Sequence, residues 1–149
     1  MNEEIQSELK KIYNNRYSIS ESTRATYSRG EDTYDPILSQ AVVFPETNEE
    51  VSKTLSLCNQ HKVPVVPFGT GTSLEGNVVG NEKGITISLE KMNKILSVNV
   101  DDFDCRVQAC VTKEQLNEYL REDGVFFPID PGANAAIGGM ASTSASGTM

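Results

Sequence analysis

The chain has 149 residues, 38% of them hydrophobic, and a net charge of −8. That length suits one domain with a real core, and the composition is not that of a disordered segment. The acidic balance argues against nucleic acid, whose phosphates call for an excess of Lys and Arg, and against an anionic membrane surface.

The first residues, MNEEIQSELKK, bring acids early and no apolar stretch. They resemble neither a secretory signal nor an Arg-rich transit peptide, and no apolar run approaches membrane-spanning length, so a cytoplasmic location is expected. From Asn2 to Asn15 the spacing predicts a short amphipathic helix with Ile5, Leu9 and Ile12 on one face. Tyr17 to Pro36 is polar and punctuated, and reads as a loop-rich lead-in. Ala41 to Phe44, stopped by Pro45, reads as a buried strand. Thr47 and Glu50 form a capping box for a helix that uses Val51, Leu55 and Cys58. Val63 to Val66 is the next strand. Gly84 to Leu89 alternates Ile85, Ile87 and Leu89, the pattern of a half-buried strand. A turn at Lys91 to Lys94 leads to a strand from Ile95 to Val100.

After a turn at Asp101 to Asp104, Cys105, Val107, Ala109 and Val111 alternate inward along a strand. Thr112 and Gln115 make a second capping box, and Val111 and Leu116 stand at the positions of a hydrophobic staple. The helix uses Leu116, Tyr119 and Leu120 and stops at Gly124, a left-handed cap. VFFPIDPG then reads as a short strand and a proline turn. The closing AAIGGMASTSASGTM lacks charge and carries Ile137 and Met140, which favours a packed segment over a floppy tail. The first half suits a βαβ unit and the second a separate small α+β layer, with the break near Leu96 to Val98. The three cysteines, Cys58, Cys105 and Cys110, are expected as buried free thiols. Cys105 and Cys110, five apart on one strand, face opposite sides, and no Cys/His spacing suits zinc.

The most telling stretch is VPVVPFGTGTSLEGN, Val63 to Asn77. A strand runs into Gly69, Thr70, Gly71, Thr72 and Ser73, which gather backbone N–H groups with little side-chain bulk. That is how a protein holds phosphate without a positive side chain. Leu74 stands where a dinucleotide fingerprint needs its third glycine, and Asn77 where a triphosphate-binding loop needs lysine. Three glycines in eight residues are more than a plain turn requires, since each costs about 0.5–1 kcal/mol relative to Ala. A second glycine-rich run, IDPGANAAIGGMASTSASG, points with it to a large phosphate-bearing ligand.

VVPFGTGTSLEGN and PIDPGANAAIGGMASTSASGTM resemble the two flavin-contacting segments of the FAD-linked oxidase family, the PCMH-type or vanillyl-alcohol oxidase FAD fold. AVVFPETNEEVSKTLSLCNQHKVPVVPFG and DDFDCRVQACVTKEQLNEYLREDGVFFPIDPG are similar as well, so the resemblance covers about Ala41 to Met149. The nearest branch is that of D-lactate dehydrogenase (cytochrome) and the flavin subunit of glycolate oxidase.

The resemblance implies a truncated α+β PCMH-type FAD-binding domain. Residues 1–40 would be helix and lead-in, 41–97 a βαβ subdomain with the pyrophosphate loop, and 98–149 the incomplete start of a second α+β subdomain. Gly69, Thr70, Gly71, Thr72 and Ser73 would wrap the pyrophosphate, with Gly76 closing the turn. Pro131, Gly132, Gly138, Gly139, Thr143, Ser144 and Gly147 would follow the ribityl chain and isoalloxazine. Relatives that attach flavin through histidine would carry it where Thr72 stands, and the second run has no cysteine, so FAD is expected to be non-covalent. His61, the single histidine, reads as a solvated helix-end residue. Ala109 and Cys110 replace a Pro-Gly that the family often has ahead of the second helix.

The substrate domain, the catalytic histidine and the metal-binding histidines of that branch would lie beyond Met149. The expected activity of the intact enzyme is dehydrogenation of a D-2-hydroxy acid, with peripheral membrane attachment left open for it. The fragment itself is expected to show no turnover, to carry no catalytic or metal residue, and to span no membrane. The alternatives are a non-catalytic flavin or nucleotide module and a structural fragment that depends on a separate chain carrying the rest. The flavin reductase of peptidoglycan precursor synthesis is disfavoured by IDPG followed by GGMA.

Overall fold

The computed structural model describes residue 1 and residues 3–147. The expected helix start at Asn2, and Thr148 and Met149 at the end of the second run, lie outside the described residues. The chain divides into two compact units, Met1–Lys91 and Met92–Met149.

In the first unit, helix α1 (Glu3–Tyr13) buries Ile5, Leu9 and Tyr13. Strand β1 (Tyr17–Ser18), helix α2 (Glu21–Thr26), strand β2 (Ala41–Val43), helix α3 (Asn48–Gln60), strand β3 (Val65–Phe68) and strand β4 (Ile85–Ser88) follow. The sheet order is β1-β2-β4-β3. β4 runs parallel to both β2 and β3, and β1 runs antiparallel to β2. β4 thus lies between the two strands that α3 connects. This central place explains why β4 is buried throughout, Thr86 and Ser88 included, rather than half-buried as its alternation predicts. Edge strand β3 tolerates Pro67, which has no N–H to give a ladder.

The expected lead-in is more ordered than its polarity suggests. Tyr17 and Ser18 pair with Val43 and Val42. Ser20 caps α2, its Oγ accepting from the Thr23 N–H at 3.2 Å.

One sheet face packs Ala41, Val43, Ile85 and Ile87 against Ile5, Leu9, Tyr13 and Cys58. On α3 the buried residues are Thr54 and Cys58, whereas Leu55 is 46% exposed, contrary to the expected face. Thr54 is drawn in by the Tyr13 hydroxyl, 2.6 Å from its Oγ1, because a buried phenol needs a partner. Thr47 caps α3 as expected, its Oγ1 accepting from the Glu50 N–H at 3.2 Å. The Glu50 carboxylate accepts from the Glu46 N–H at 2.7 Å and from both terminal nitrogens of Arg16, at 2.7 and 2.5 Å. Arg16 also donates to the Phe44 carbonyl at 2.9 Å. One bidentate pair therefore ties the end of α1, the exit of β2 and the start of α3 together.

In the second unit, strands β5 (Ile95–Asn99) and β6 (Asp104–Val107) form an antiparallel hairpin with an irregularity between Ile95 and Ser97. Cys105 is exposed, correcting the expectation of three buried thiols; Cys58 and Cys110 are buried and all three are free. Asp104, Cys105 and Arg106 are exposed in succession along β6, so both faces of this strand meet solvent there. Helix α4 (Lys113–Tyr119) buries Leu116. With Leu120 and Val111 it makes a second core, while Tyr119 is exposed. The chain then turns at Gly124, φ +71°.

The expected strand in VFFPI has no sheet partner among the described residues. Instead the Asn117 amide holds Phe127, donating to its carbonyl at 3.2 Å and accepting its N–H at 2.7 Å. Helix α5 (Ile137–Thr143) buries Met140. Its Gly138 packs directly on Ala109: the Gly138 N–H donates to the Ala109 carbonyl at 2.8 Å, and an added Cβ would lie 2.8 Å from that same oxygen.

Two outcomes follow from this packing. Arg16 holds the Glu50 carboxyl down to about 2 from 4.5, helped by the Glu46 and Thr47 amides. The folded pKa is depressed, so the pair's stabilisation is complete above pH 4.5 and fades as pH falls toward 2. Allowing for solvent screening of a pair still about one-fifth exposed, Glu50→Gln should cost about 1–2 kcal/mol at pH 7. In urea melts, the gap between variant and wild type should close through that acid window. Gly138→Ala should lower stability by about 1–3 kcal/mol through overpacking on Ala109, read as a lower thermal midpoint.

Candidate functional site

The parallel strands β3 and β4 are joined by residues 69–84, which contain no helix or strand. The loop leaves the carboxyl end of β3, the end of an open parallel sheet where ligands bind. Gly71 has φ +74°, and an added Cβ would stand 2.9 Å from the Phe68 ring. Gly76 has φ +71°, and an added Cβ would stand 2.8 Å from the Tyr34 ring; its carbonyl accepts from the Val79 N–H at 3.1 Å. Both turns therefore need glycine for conformation and for space.

The hydrogen bonding of the loop is asymmetric. The Gly71 carbonyl accepts from the Glu31 N–H at 3.0 Å, and the Asn81 carbonyl accepts from the Gly84 N–H at 2.9 Å. The Asn81 N–H donates to Ser39 Oγ at 3.1 Å. The backbone N–H groups of Gly69, Thr70, Gly71, Thr72 and Ser73 donate to no acceptor among the described residues. Thr70 and Thr72 hydroxyls stand 3.4 Å apart, and Ser73 Oγ accepts from Asn77 Nδ2 at 2.9 Å. Five uncommitted amides and three hydroxyls in five residues form a neutral donor set for an anion, the chemistry a pyrophosphate requires.

Beneath the loop, Tyr27 meets the rings of Phe44 and Phe68 edge-on, at 5.2 and 5.1 Å between centroids, and its hydroxyl donates to Glu90. Phe68 is the ring that shapes Gly71, so these aromatic contacts anchor the start of the loop. Two buried polar atoms lack partners among the described residues of this unit's loop-bearing side: Ser88 Oγ, paired in register with Phe68, and Asp32 Oδ2.

The second run is more fully committed to its own fold. Gly132, φ +87°, donates its N–H to Asp130 Oδ1 at 3.0 Å, and that carboxylate also takes Lys113 Nζ at 2.8 Å. The Lys113 ammonium, with the Gly132 N–H, holds the Asp130 carboxyl below the usual range. Gly138 is required by Ala109, as described. Thr143 Oγ1 donates to the Gly139 carbonyl at 3.0 Å. Gly147, φ +93°, bridges to Asp130, whose carbonyl an added Cβ would overlap. Pro131, Gly139 and Ser144 are exposed, and Ser144 takes a left-handed φ of +53°. Gly132, Thr143 and Gly147 are exposed as well, and no atom lies within 4 Å of a Cβ added at Gly132. His61 is the C-cap of α3, its N–H bonded back to Leu57 and Asn59. The sequence reading missed Gly30, Glu31 and Tyr34, which lie against the loop from the lead-in. Among the described residues no group of acids, cysteines and histidines is arranged to hold a metal ion, and no helix is long and apolar enough to cross a membrane.

Comparison with known proteins places this geometry. A family model described as FAD binding domain matches residues 39–149. Probable D-lactate dehydrogenase, mitochondrial, of Danio rerio is 44% identical over 131 residues, covering 88% of this chain and 26% of that protein. D-lactate dehydrogenase [cytochrome], mitochondrial, of Arabidopsis thaliana is 38% identical over 148 residues, covering 98% of this chain and 26% of that one. The chain therefore spans about a quarter of the length of these relatives. Among solved structures, an alkyldihydroxyacetonephosphate synthase superposes with a TM-score of 0.88 at 22% identity, over 99% of this chain and 30% of that one. That likeness shows the PCMH-type FAD fold. The chain belongs to the FAD binding domain family.

Proposed function

We propose that this chain is the FAD-binding portion of a D-2-hydroxy-acid dehydrogenase of the D-lactate/glycolate type, holding FAD without a covalent bond. The observation that carries the proposal is the row of free amides from Gly69 to Ser73 at the carboxyl end of β3. In a chain of net charge −8, an anion has to be held by local dipoles rather than by the overall field. Gly69, Thr70, Gly71, Thr72 and Ser73 would hold the pyrophosphate, with Gly76 closing the turn.

On the second run, Gly139, Ser144 and Pro131 have open groups to offer the flavin end. Gly132 offers an open Cα as well, while Gly138, Thr143 and Gly147 would act mainly by shaping that run. Thr72, with a hydroxyl where a tethering histidine would stand, supports non-covalent binding. When bound, FAD supplies the hydride acceptor for the C2 hydrogen of the hydroxy acid, at flavin N5, in the intact enzyme. What this chain contributes is binding and orientation. Its single histidine, His61, stands at the end of α3 ahead of the amino end of β3, whereas the loop leaves the carboxyl end, which supports a fragment that retains cofactor and does not turn over substrate. A cytoplasmic location and a second chain or segment carrying the substrate domain belong to the same proposal, and cell fractionation and co-purification test them.

Purified with added FAD, the chain should retain the flavin absorbance band, release it on denaturation, and show no bleaching with D-lactate. Loss of the band on desalting would remove the cofactor assignment. Substrate-driven bleaching by this chain alone would contradict the absence of turnover. Gly71→Val places a β-branched residue at φ +74° against the Phe68 ring. It should abolish flavin retention while leaving the far-ultraviolet circular dichroism close to wild type.

A further inference from the structure

Residues 30–37 precede the region matched by the family model, which begins at residue 39. They nevertheless follow the glycine loop step for step. Gly30 lies against Gly71: an added Cβ would be 2.7 Å from the Gly71 carbonyl oxygen and 2.8 Å from Val78 Cγ2. Tyr34, 59% exposed, lays its ring against Gly76. Ile37 sets its carbonyl against Gly80, where an added Cβ would overlap it. The contacts with Gly71, Gly76 and Gly80 fall in the same order on both segments, and the Val78 side chain reaches back to Gly30. Within the strap, Asp32 Oδ1 accepts the Tyr34 N–H at 3.0 Å, fixing the bend between the first two contacts.

One bond in this set acts on the donor row itself. The Glu31 N–H donates to the Gly71 carbonyl at 3.0 Å. The peptide joining Gly71 to Thr72 is planar and trans, so its C=O and N–H point in opposite directions. Holding the carbonyl toward residue 31 turns the Thr72 N–H away from the strap. Without that bond, the peptide between a glycine and its neighbour can rotate at little steric cost, and the donor loses its aim.

We infer that residues 30–37 are a strap that positions the pyrophosphate loop, with Gly30 and Glu31 as positioning residues that set the affinity for FAD through the Gly71–Thr72 peptide. The inference rests on the reading that residues 69–73 hold the FAD pyrophosphate. Glu31 acts through its backbone N–H and Gly30 through the space it leaves. Gly30 has no left-handed φ, so a side chain there acts by pushing on Gly71, Val78 and the Asp32 carboxylate.

The test is FAD titration of the full 149-residue chain, followed by flavin fluorescence, with thermal melts of the flavin-free proteins alongside. Glu31→Pro removes the donor and should raise the Kd about three- to tenfold, the range for losing one hydrogen bond's net contribution. Glu31→Ala keeps the N–H and should restore wild-type affinity. Gly30→Ala should raise the Kd by a similar factor and, through overpacking on Gly71, lower the flavin-free melting temperature, whereas those of Glu31→Pro and Glu31→Ala should stay within a few degrees of wild type. A merely structural strap would instead lower those melting temperatures in proportion to the loss of binding. Wild-type affinity in both Glu31→Pro and Gly30→Ala would overturn the strap while leaving the cofactor assignment intact. Failure of the wild-type chain to bind FAD would overturn both. If Glu31→Pro does not fold, Gly30→Ala against wild type decides the matter alone.

Discussion

Strand β3 passes to the parallel strand β4 without a helix. A parallel crossover ordinarily uses a helix to satisfy its own backbone; here residues 69–84 must satisfy theirs one group at a time. From Gly76 to Gly84 they do so in part, the N–H groups of Val79, Asn81, Lys83 and Gly84 donating within the unit. From Gly69 to Ser73 they do not, and the donors are left in a row beside a ring, Phe68, that forces Gly71 into a left-handed turn. The candidate site is thus a stretch of this loop in which successive N–H groups meet no acceptor among the described residues, held in place by the packing around it.

That packing is where the remaining features of the first unit gain their meaning. α1 and α3 cover one sheet face with Ile5, Leu9, Tyr13 and Cys58, and burial pushes the Cys58 thiol up to about 11, which makes it a hydrophobic filler rather than a nucleophile. The other side carries Phe68 and Thr86, with Tyr27 against Phe68 and Ser39 accepting from Thr86 Oγ1 at 2.9 Å. The Arg16–Glu50 pair locks the corner where α1, β2 and α3 meet. The acidic charge of the chain leaves the anion site dependent on short-range dipoles, so its strength follows from how well those dipoles are aimed.

Much of this was legible in the sequence, for reasons that are themselves physical. Capping boxes are local, so Thr47 and Thr112 marked the starts of α3 and α4; α4 itself stops at Tyr119, and Gly124 ends the short turn Arg121–Asp123 that follows it. The Gly-Thr-Gly-Thr-Ser loop stood out by its small residues after a strand, and its N–H groups meet no acceptor among the described residues. What sequence could not carry was contact between distant segments. The insertion of β4 between β2 and β3 buried Thr86 and Ser88 against their polarity. The Tyr13 hydroxyl pulled Thr54 inward and left Leu55 outside. Gly138 lies directly against Ala109, and the Asn117 amide took the place of the sheet partner expected in the stretch after Gly124. The lead-in looked like filler until Gly30, Glu31 and Tyr34 were seen against the loop.

The central claim is that the backbone amides of five consecutive residues receive the phosphate groups of FAD. Amide nuclear magnetic resonance of the isotopically labelled chain, with and without FAD, reads those groups one by one. The account predicts large downfield shifts and slowed hydrogen exchange at Gly69, Thr70, Gly71, Thr72 and Ser73 on addition of FAD. FAD bound in the same sample, with those five signals unmoved and still exchanging freely, would contradict it.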